Sequence, residues 1–138
     1  MPRVAPGGFT LLETIVVVIV LGLVLAILAG FVPRRPARLE LAHATDMVAR
    51  TLRLARAQAL ATSRPVTVQA TGTALLVDGS PRTVPGDLAV TIIGPPAIRF
   101  AADGSASVGA VRVVGKARAM LVTVEWLTGR VGVVGDGH

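Results

Sequence analysis

The sequence predicts an α+β protein: a long N-terminal helix, membrane-spanning in its first half and amphipathic in its second, packed on a small antiparallel β domain. Three patterns predict this fold. Residues 14–32 form an apolar run without charge, apolar residues then recur every three or four positions up to Ala59, and beyond Pro65 short runs of β-branched residues alternate with glycine-containing turns. A chain of 138 residues has room for one modest domain.

The apolar run has the length of a membrane span. Nineteen helical residues extend about 28 Å, which is close to the thickness of the hydrocarbon layer. We therefore interpret residues 9–32 as a transmembrane helix. A buried core helix is one alternative, and a cleaved secretory signal is another. The second is disfavoured because no A-x-A cleavage site with small residues in place precedes Pro33.

Residues 33–64 are predicted to continue the helix in amphipathic form, after a break or kink where Pro33 and Pro36 mark the membrane edge. Pro65 is expected to stop the helix near Ser63. One face carries an apolar stripe that can cover a sheet. The stripe consists of Leu41, Thr45, Val48, Leu52, Ala55 and Ala59.

Residues 65–138 are predicted to form the β domain, with five to seven strands. The first hairpin should turn at Thr71-Gly72, and the last at Thr128-Gly129. Between them we expect a strand ended by residues 94–96, a loop with turn chemistry at Asp103-Gly104, and a strand at 111–115. A sheet of this size is marginal alone, so the apolar stripe of the helix should cover it.

Composition favours a structural role over an enzymatic one. The hydrophobic fraction is 52%, the mean hydropathy is +0.69 and the net charge is +6. There is no Cys, and the two His residues lie far apart, at positions 43 and 138. Four aspartates, at positions 78, 87, 103 and 136, adjoin glycines, as in turns. We therefore predict no catalytic residues, no metal site and no cofactor.

The stretch GGFTLLE, residues 7–13, holds the single acid of the N-terminal segment, Glu13. A charge at the centre of a bilayer costs up to ~3 kcal/mol on insertion scales, so Glu13 needs an offsetting interaction. One source is the helix macrodipole, which favours an acid in the first turn by about 0.3–1 kcal/mol. The charge also stands four residues after Phe9, one helical turn away.

This stretch resembles the type IV prepilin signal of pilins and type II secretion pseudopilins. The resemblance implies that residues 1–8 are a leader peptide, that a membrane peptidase cuts between Gly8 and Phe9, and that the new amino terminus of Phe9 is methylated. It also implies that Glu13 takes part in subunit assembly, by pairing with the Phe9 amine within one chain or on a neighbouring subunit.

The remaining motifs narrow the resemblance. The F-x-x-D-G loop at 100–104 and the E-W-L-T-G-R-V hairpin at 125–131 look like those of minor pseudopilin H proteins, the GspH group, which shares its domain type with FimT-like minor pilins. The implied function is a minor pseudopilin, a structural subunit near the tip of the periplasmic filament of a type II secretion system. Other pseudopilins or pilins, prepilin peptidase and the inner membrane are the implied partners.

The resemblance also implies a single-pass protein of the inner membrane, with its C-terminal domain in the periplasm. The positive-inside rule points the other way, because Arg34, Arg35 and Arg38 outnumber Arg3 across the apolar run. We follow the resemblance for the orientation.

Two further functions remain open from the sequence. In a FimT-like minor type IV pilin, active in pilus biogenesis or in DNA binding and uptake, Arg50, Arg53 and Arg56 would form a basic contact face for nucleic acid. A solvated helix face explains the same three arginines without a ligand. Residues 112–118 hold a second basic group. The other function is an anchored β domain without a filament role.

Overall fold

The computed structural model describes residues 7–30, 36–86 and 88–135. They belong to two compact units, Met1–Arg34 and Arg35–His138. The first unit contains helix α1, Leu11–Gly30, and the second contains helix α2, Ala37–Thr62, and eight strands. The strands are β1 Val66–Thr71, β2 Ala74–Val77, β3 Ser80–Thr83, β4 Ala89–Ile93, β5 Ile98–Phe100, β6 Gly109–Val114, β7 Ala119–Val124 and β8 Val131–Gly135.

After its first turn, which contains Glu13 and Thr14, helix α1 is apolar on every side. Its 20 residues have a mean hydropathy of 3.0 within the best window, and none is buried. At about 1.5 Å per residue the helix is 30 Å long, so its length and composition suit a membrane span. The predicted span was residues 9–32, of which residues 31 and 32 lie outside the described part of the chain.

Helix α2 is amphipathic, as predicted. All six residues of the predicted stripe are buried, and Ala44 and Ala49 join them. Pro36 precedes the helix with φ −58° and ψ 135°, and the helix ends at Thr62, one residue before the prediction. Ser63 takes a left-handed conformation with φ 51°. The predicted continuity with the first helix falls on residues 31–35, which lie outside the described residues.

The strands form two antiparallel sheets of four, in the orders β3-β2-β1-β5 and β4-β6-β7-β8. The described residues therefore hold one strand more than the five to seven predicted. Strand β3 was missed because Asp78 and Gly79, read as the end of a hairpin, both have positive φ and turn the chain into another strand, as in a type I′ turn. Strand β5, three residues long, was also missed.

The first predicted hairpin is present, formed by β1 and β2, but its turn lies one residue later than predicted. Thr71 pairs with Ala74, so the two loop residues are Gly72 and Thr73 rather than Thr71 and Gly72. The last hairpin, between β7 and β8, has its turn where the sequence predicts it.

One core lies between α2 and the two sheets, and its largest fully buried side chains include Phe100, Leu52, Leu75 and Ile98. Among the described residues, every buried hydrophobic side chain of this core lies between Leu41 and Val124, and α1 contributes none. The core of the described residues therefore belongs to the second unit. The structure confirms the predicted pilin-like α+β fold.

Candidate assembly site

The N-terminal motif lies open just before α1. Gly8 and Phe9 are exposed and stand outside the helix, which begins at Leu11. A Cβ added to Gly8 would meet nothing within 4 Å. Phe9 is 79% exposed despite its large apolar ring. A protease could therefore reach the peptide bond between these two residues without unfolding any element.

Glu13 occupies the first turn of α1, where its backbone N–H donates to the Thr10 hydroxyl oxygen at 3.3 Å. The Thr-x-x-Glu spacing is that of a capping box, in which the threonine caps the helix and the glutamate stands at its third position. Among the described residues the Glu13 carboxylate has no ion pair, and its side chain is exposed. In the uncut chain, the Phe9 nitrogen is an uncharged amide and cannot form an ion pair with this carboxylate.

The three arginines of the predicted basic face bind three different groups. Arg50 forms an ion pair with Asp46 of the same helix, at 2.9 Å between Nη2 and Oδ2. Arg53 reaches the Val131 carbonyl oxygen at 3.5 Å, the limit of a hydrogen bond. Arg56 is partly buried, and its Nε donates to the Gly104 carbonyl oxygen at 3.2 Å. Arg50 and Arg53 remain exposed, whereas Arg56 supports the domain.

Arg56 belongs to a glycine junction, formed by Arg56, Gly104 and Gly129. Both glycines are buried with positive φ, and a Cβ on Gly129 would overlap the Gly104 carbonyl oxygen and lie 2.9 Å from Arg56 Nε. The loop between β5 and β6 and the turn between β7 and β8 therefore meet backbone against backbone. The junction brings together the two C-terminal motifs of the sequence, which motif reading alone treats as separate.

The acids near the junction serve the turns, as predicted for Asp103. The Ser105 hydroxyl donates to Asp103 Oδ1 at 2.6 Å, and its backbone N–H donates to the same atom at 3.0 Å. These two bonds hold the pKa of Asp103 below its ordinary value, the hydroxyl contributing most. Similarly, the Thr128 hydroxyl donates to Glu125 Oε2 at 2.7 Å.

The second basic group of the sequence gains a member from α2. An open groove of about 810 Å³ is lined by Arg38, Arg112 and Arg118 together with apolar residues such as Leu41 and Met120. Sequence reasoning placed Arg38 with the membrane edge and missed its place beside the turn between β6 and β7. Within the described ranges, no three His, Cys, Asp or Glu side chains are grouped as metal ligands would be.

The comparisons with known proteins agree with the fold. The family model described as Type II transport protein GspH matches residues 44–129, which run from α2 to the last turn and make up more than half of the chain. This match lies entirely outside the N-terminal motif, so the two kinds of evidence are independent. The comparison with curated protein sequences gives no match.

Two solved structures share the architecture. The type IV minor pilin FimU of Pseudomonas aeruginosa is 19% identical with a TM-score of 0.59, covering 70% of this chain and 90% of FimU. The minor pseudopilin EpsH from the type 2 secretion system of Vibrio cholerae is 14% identical with a TM-score of 0.56, covering 72% of this chain and 99% of EpsH. At such low identity these likenesses concern the fold.

Proposed function

Because the chain belongs to the GspH family of type II transport proteins, we propose that it is a minor pseudopilin, built into the periplasmic filament of a type II protein secretion system near its tip. The observation that carries the proposal is the family match at residues 44–129, which include most of α2 and strands β1 to β7. Helix α1, with no buried residue and the length of a membrane span, supports anchoring before assembly. The family's role is structural, and other pilin-like subunits are its partners.

Processing is the first part of the proposal. Residues 1–8 are a leader, prepilin peptidase cuts between Gly8 and Phe9, and Phe9 is then methylated on its amine. The exposure of both residues outside the helix supports access by the enzyme. The intact mass of the protein extracted from membranes should lack residues 1–8 and include one methyl group. A mature chain that begins at Met1 would contradict this proposal.

The same cleavage has a matched pair of variants. Gly8→Ala should be processed better than Gly8→Val, because a peptidase subsite for glycine accepts a small side chain more readily. The chain itself offers no obstacle to either, since a Cβ on Gly8 meets nothing within 4 Å. Equal processing of both variants would show that the subsite does not select for size.

Assembly is the second part. After cleavage, the Phe9 ammonium and the Glu13 carboxylate are four residues apart, and the carboxylate is available to a neighbouring subunit because it has no ion pair in the described chain. Removing one partner of such a pair in apolar surroundings typically costs ~3–5 kcal/mol. Glu13→Gln tests the charge alone, because Gln also suits the third position of a capping box.

Glu13→Gln should leave membrane insertion and the protease resistance of the β domain unchanged, and should reduce crosslinking to other pilin-like subunits. Glu13→Asp is the matched control, since it keeps the charge on a shorter side chain and should retain more crosslinking. Wild-type crosslinking and secretion in Glu13→Gln would remove the carboxylate from the assembly contact. Assembly would then depend on the β domain and the exposed part of α2.

Topology is the third part: one membrane span over residues 9–32, the amphipathic helix over 33–64, and the β domain over 65–138 in the periplasm. The absence of buried residues in α1 supports the span. Protease added to intact spheroplasts, at a concentration that overcomes the resistance of the folded domain in lysed membranes, should digest the C-terminal domain while a cytoplasmic control protein stays intact. Protection of the domain until the membrane is lysed would reverse the proposed orientation.

A second candidate is a minor type IV pilin, a class whose member FimU shares the fold of this chain as EpsH does. In this role the chain would bind DNA during uptake through the basic face of α2. Because Arg56 is engaged with Gly104, only Arg50 and Arg53 remain as phosphate contacts on this face. Duplex binding by the domain should then show a log–log salt slope of about −1.8, at −0.9 per phosphate. Deleting the gene separates the candidates: loss of secretion supports the first, and loss of DNA uptake with normal secretion supports the second.

A further inference from the structure

Strand β8 is the least protected edge of the two described sheets, which end in β3, β5, β4 and β8. Strand β3 contains Pro81 and Arg82, and β5 is only three residues long. The edge of β4 is already engaged, because the Val90 N–H donates to the Gly72 carbonyl oxygen at 2.6 Å. Proline, charge, short length and a covering loop all hinder the addition of another strand. Strand β8, with the sequence VGVVG, has none of these features among the described residues.

The pairing of β8 with β7 determines which of its backbone groups remain available. The Glu125 N–H donates to the Arg130 carbonyl oxygen at 3.0 Å, in the register of the β7–β8 ladder. Hydrogen-bonded pairs recur at every second residue of an antiparallel ladder, so the odd-numbered residues of β8 direct their N–H and C=O groups away from β7. These residues are Val131, Val133 and Gly135. The contact of the Val131 carbonyl oxygen with Arg53 of α2, at 3.5 Å, agrees with this direction.

The side-chain order of β8 is complementary to itself. When two copies run antiparallel about a two-fold axis at Val133, Val131 lies opposite Gly135, and Gly132 lies opposite Val134. Each valine therefore meets a glycine of the other copy, except Val133, which meets its own counterpart. This register also sets the outward-directed residues opposite one another, as hydrogen-bonded pairs require. Val133 and Val134 are 44% and 51% exposed, so pairing would remove apolar surface from water.

The charges at the two ends of β8 agree with the same register. Arg130 directly precedes the strand, is exposed, and forms no ion pair with the described residues. Asp136 is the next residue of the sequence after the strand and lies outside the described residues. A two-fold axis at Val133 matches position 130 of one copy with position 136 of the other. Each end of the pair thus brings a cation to an anion, and opposite charges directly across a strand pair stabilise it.

We propose that two unassembled copies of this chain pair through β8 and join their four-stranded sheets into one continuous sheet. The pairing satisfies the backbone groups of both edges and covers an apolar edge strand, a structure that otherwise favours aggregation. It concerns the protein before it enters a filament, so it goes beyond the proposed pseudopilin role and does not depend on it.

Single cysteines in the full chain test the pairing, because the sequence contains no Cys. Val133→Cys would create a directly opposed pair with Cα atoms about 5.5 Å apart, within the range of a disulfide. Val134→Cys is the matched control, since it is similarly exposed but its two copies would lie two residues out of register, with Cα atoms about 8 Å apart. Mild oxidation of membranes should link most of the Val133→Cys chains into dimers and leave Val134→Cys monomeric. Equal crosslinking of both, or none in Val133→Cys, would overturn the proposal.

A charge reversal in the Val133→Cys background tests the register. Arg130→Glu would oppose Asp136 with a like charge at both ends of the pair and should slow crosslinking about tenfold. Adding Asp136→Arg should restore the original rate, because it exchanges the two charges without altering their complementarity. Arg82→Glu, on β3 of the other sheet, changes the net charge as Arg130→Glu does and should leave the rate unchanged.

Three outcomes of the charge reversal would overturn self-pairing. One is a failure of the double exchange to restore crosslinking, which would exclude this register. Another is an equal loss in Arg82→Glu, which would mean that net charge alone acts. The third is crosslinking of Val133→Cys only to cysteine-containing variants of other pilin-like subunits, which would make the occupant of the edge a different chain. Because every readout concerns unassembled copies, these failures leave the proposed pseudopilin role standing.

Discussion

Helices α1 and α2 are similar in length but opposite in how they use apolar residues. Helix α1 has 20 residues, almost all apolar, and none is buried. Helix α2 has 26 residues with many charges, and eight of them are buried on one face. The arrangement of apolar residues, rather than their number, therefore decides which helix builds the core.

The buried face of α2 also combines small and large residues. Four of its eight buried residues are alanines, which let the helix axis approach both sheets closely, while Leu52 and Val48 fill the space between the strands. A helix that is apolar all round has no preferred face and is suited to a uniform apolar solvent. The length and composition of α1 therefore suit a membrane span, whereas α2 belongs to the protein core.

The strongest test of this comparison is a pair of leucines. Leu52→Ala should lower the free energy of unfolding of the domain by about 2–5 kcal/mol, because it removes a fully buried side chain and leaves a cavity. Leu21→Ala in α1 should leave the free energy of unfolding of the domain unchanged. Hydrogen exchange of the β6 and β7 amides in the detergent-solubilised chain measures both. Comparable losses of protection would mean that α1 contributes to the domain core.

A pair of glycines gives the next largest effect. Gly129→Ala should destabilise the domain by about 1–3 kcal/mol, because Gly129 has φ 64° and the new Cβ would overlap the Gly104 carbonyl oxygen. Gly22→Ala in α1 meets nothing within 4 Å and should leave the domain unchanged. Denaturant unfolding gives both values. An unchanged midpoint for Gly129→Ala would show that the two loops separate readily.

A pair of arginines on α2 tests the same junction from the side of the helix. Arg56→Gln should destabilise by about 1 kcal/mol, since it removes the partly buried hydrogen bond to Gly104. Arg53→Gln should cost less, because its contact with Val131 is at the limit of hydrogen-bond length and exposed. Thermal unfolding of the two variants provides the comparison. A larger loss of stability in Arg53→Gln than in Arg56→Gln would mean that the contact of α2 with β8 matters more than its contact with Gly104.

The smallest effect concerns acid. The pKa of Asp103 is lowered by Ser105, so its hydrogen bonds contribute stability above the ordinary carboxylate pKa and lose that contribution as the pH falls through the lowered value. Ser105→Ala should therefore reduce stability slightly near neutral pH and make no difference at strongly acidic pH. Unfolding midpoints across this pH range test the sign. A difference that grows as the pH falls would contradict it.

Sequence patterns predicted most of the local structure correctly because each depends on near neighbours. The buried stripe of α2 could be read from its spacing alone, and the turn at Asp103 from the Asp-Gly pair. The local pattern at Asp78-Gly79 did not predict strand β3. The Asp-Gly pair was interpreted as the end of the first hairpin, whereas it is the turn that joins β2 to β3. Residues 80–83 form a strand because the edge of β2 is free to pair with them. The composition of these four residues does not indicate that pairing.

The sequence by itself determined that α1 is apolar after its first turn, that one face of α2 is buried and that the chain after Pro65 forms antiparallel strands. Only the tertiary structure decided which distant residues meet. Arg56, Gly104 and Gly129 come together because the pairing of both sheets brings two loops to the same end of α2. Arg38 and Arg118 line one groove because the start of α2 lies beside the turn between β6 and β7. Periodicity is set by bonds between neighbours along the chain, whereas these contacts are set by how the helix and both sheets pack around one core.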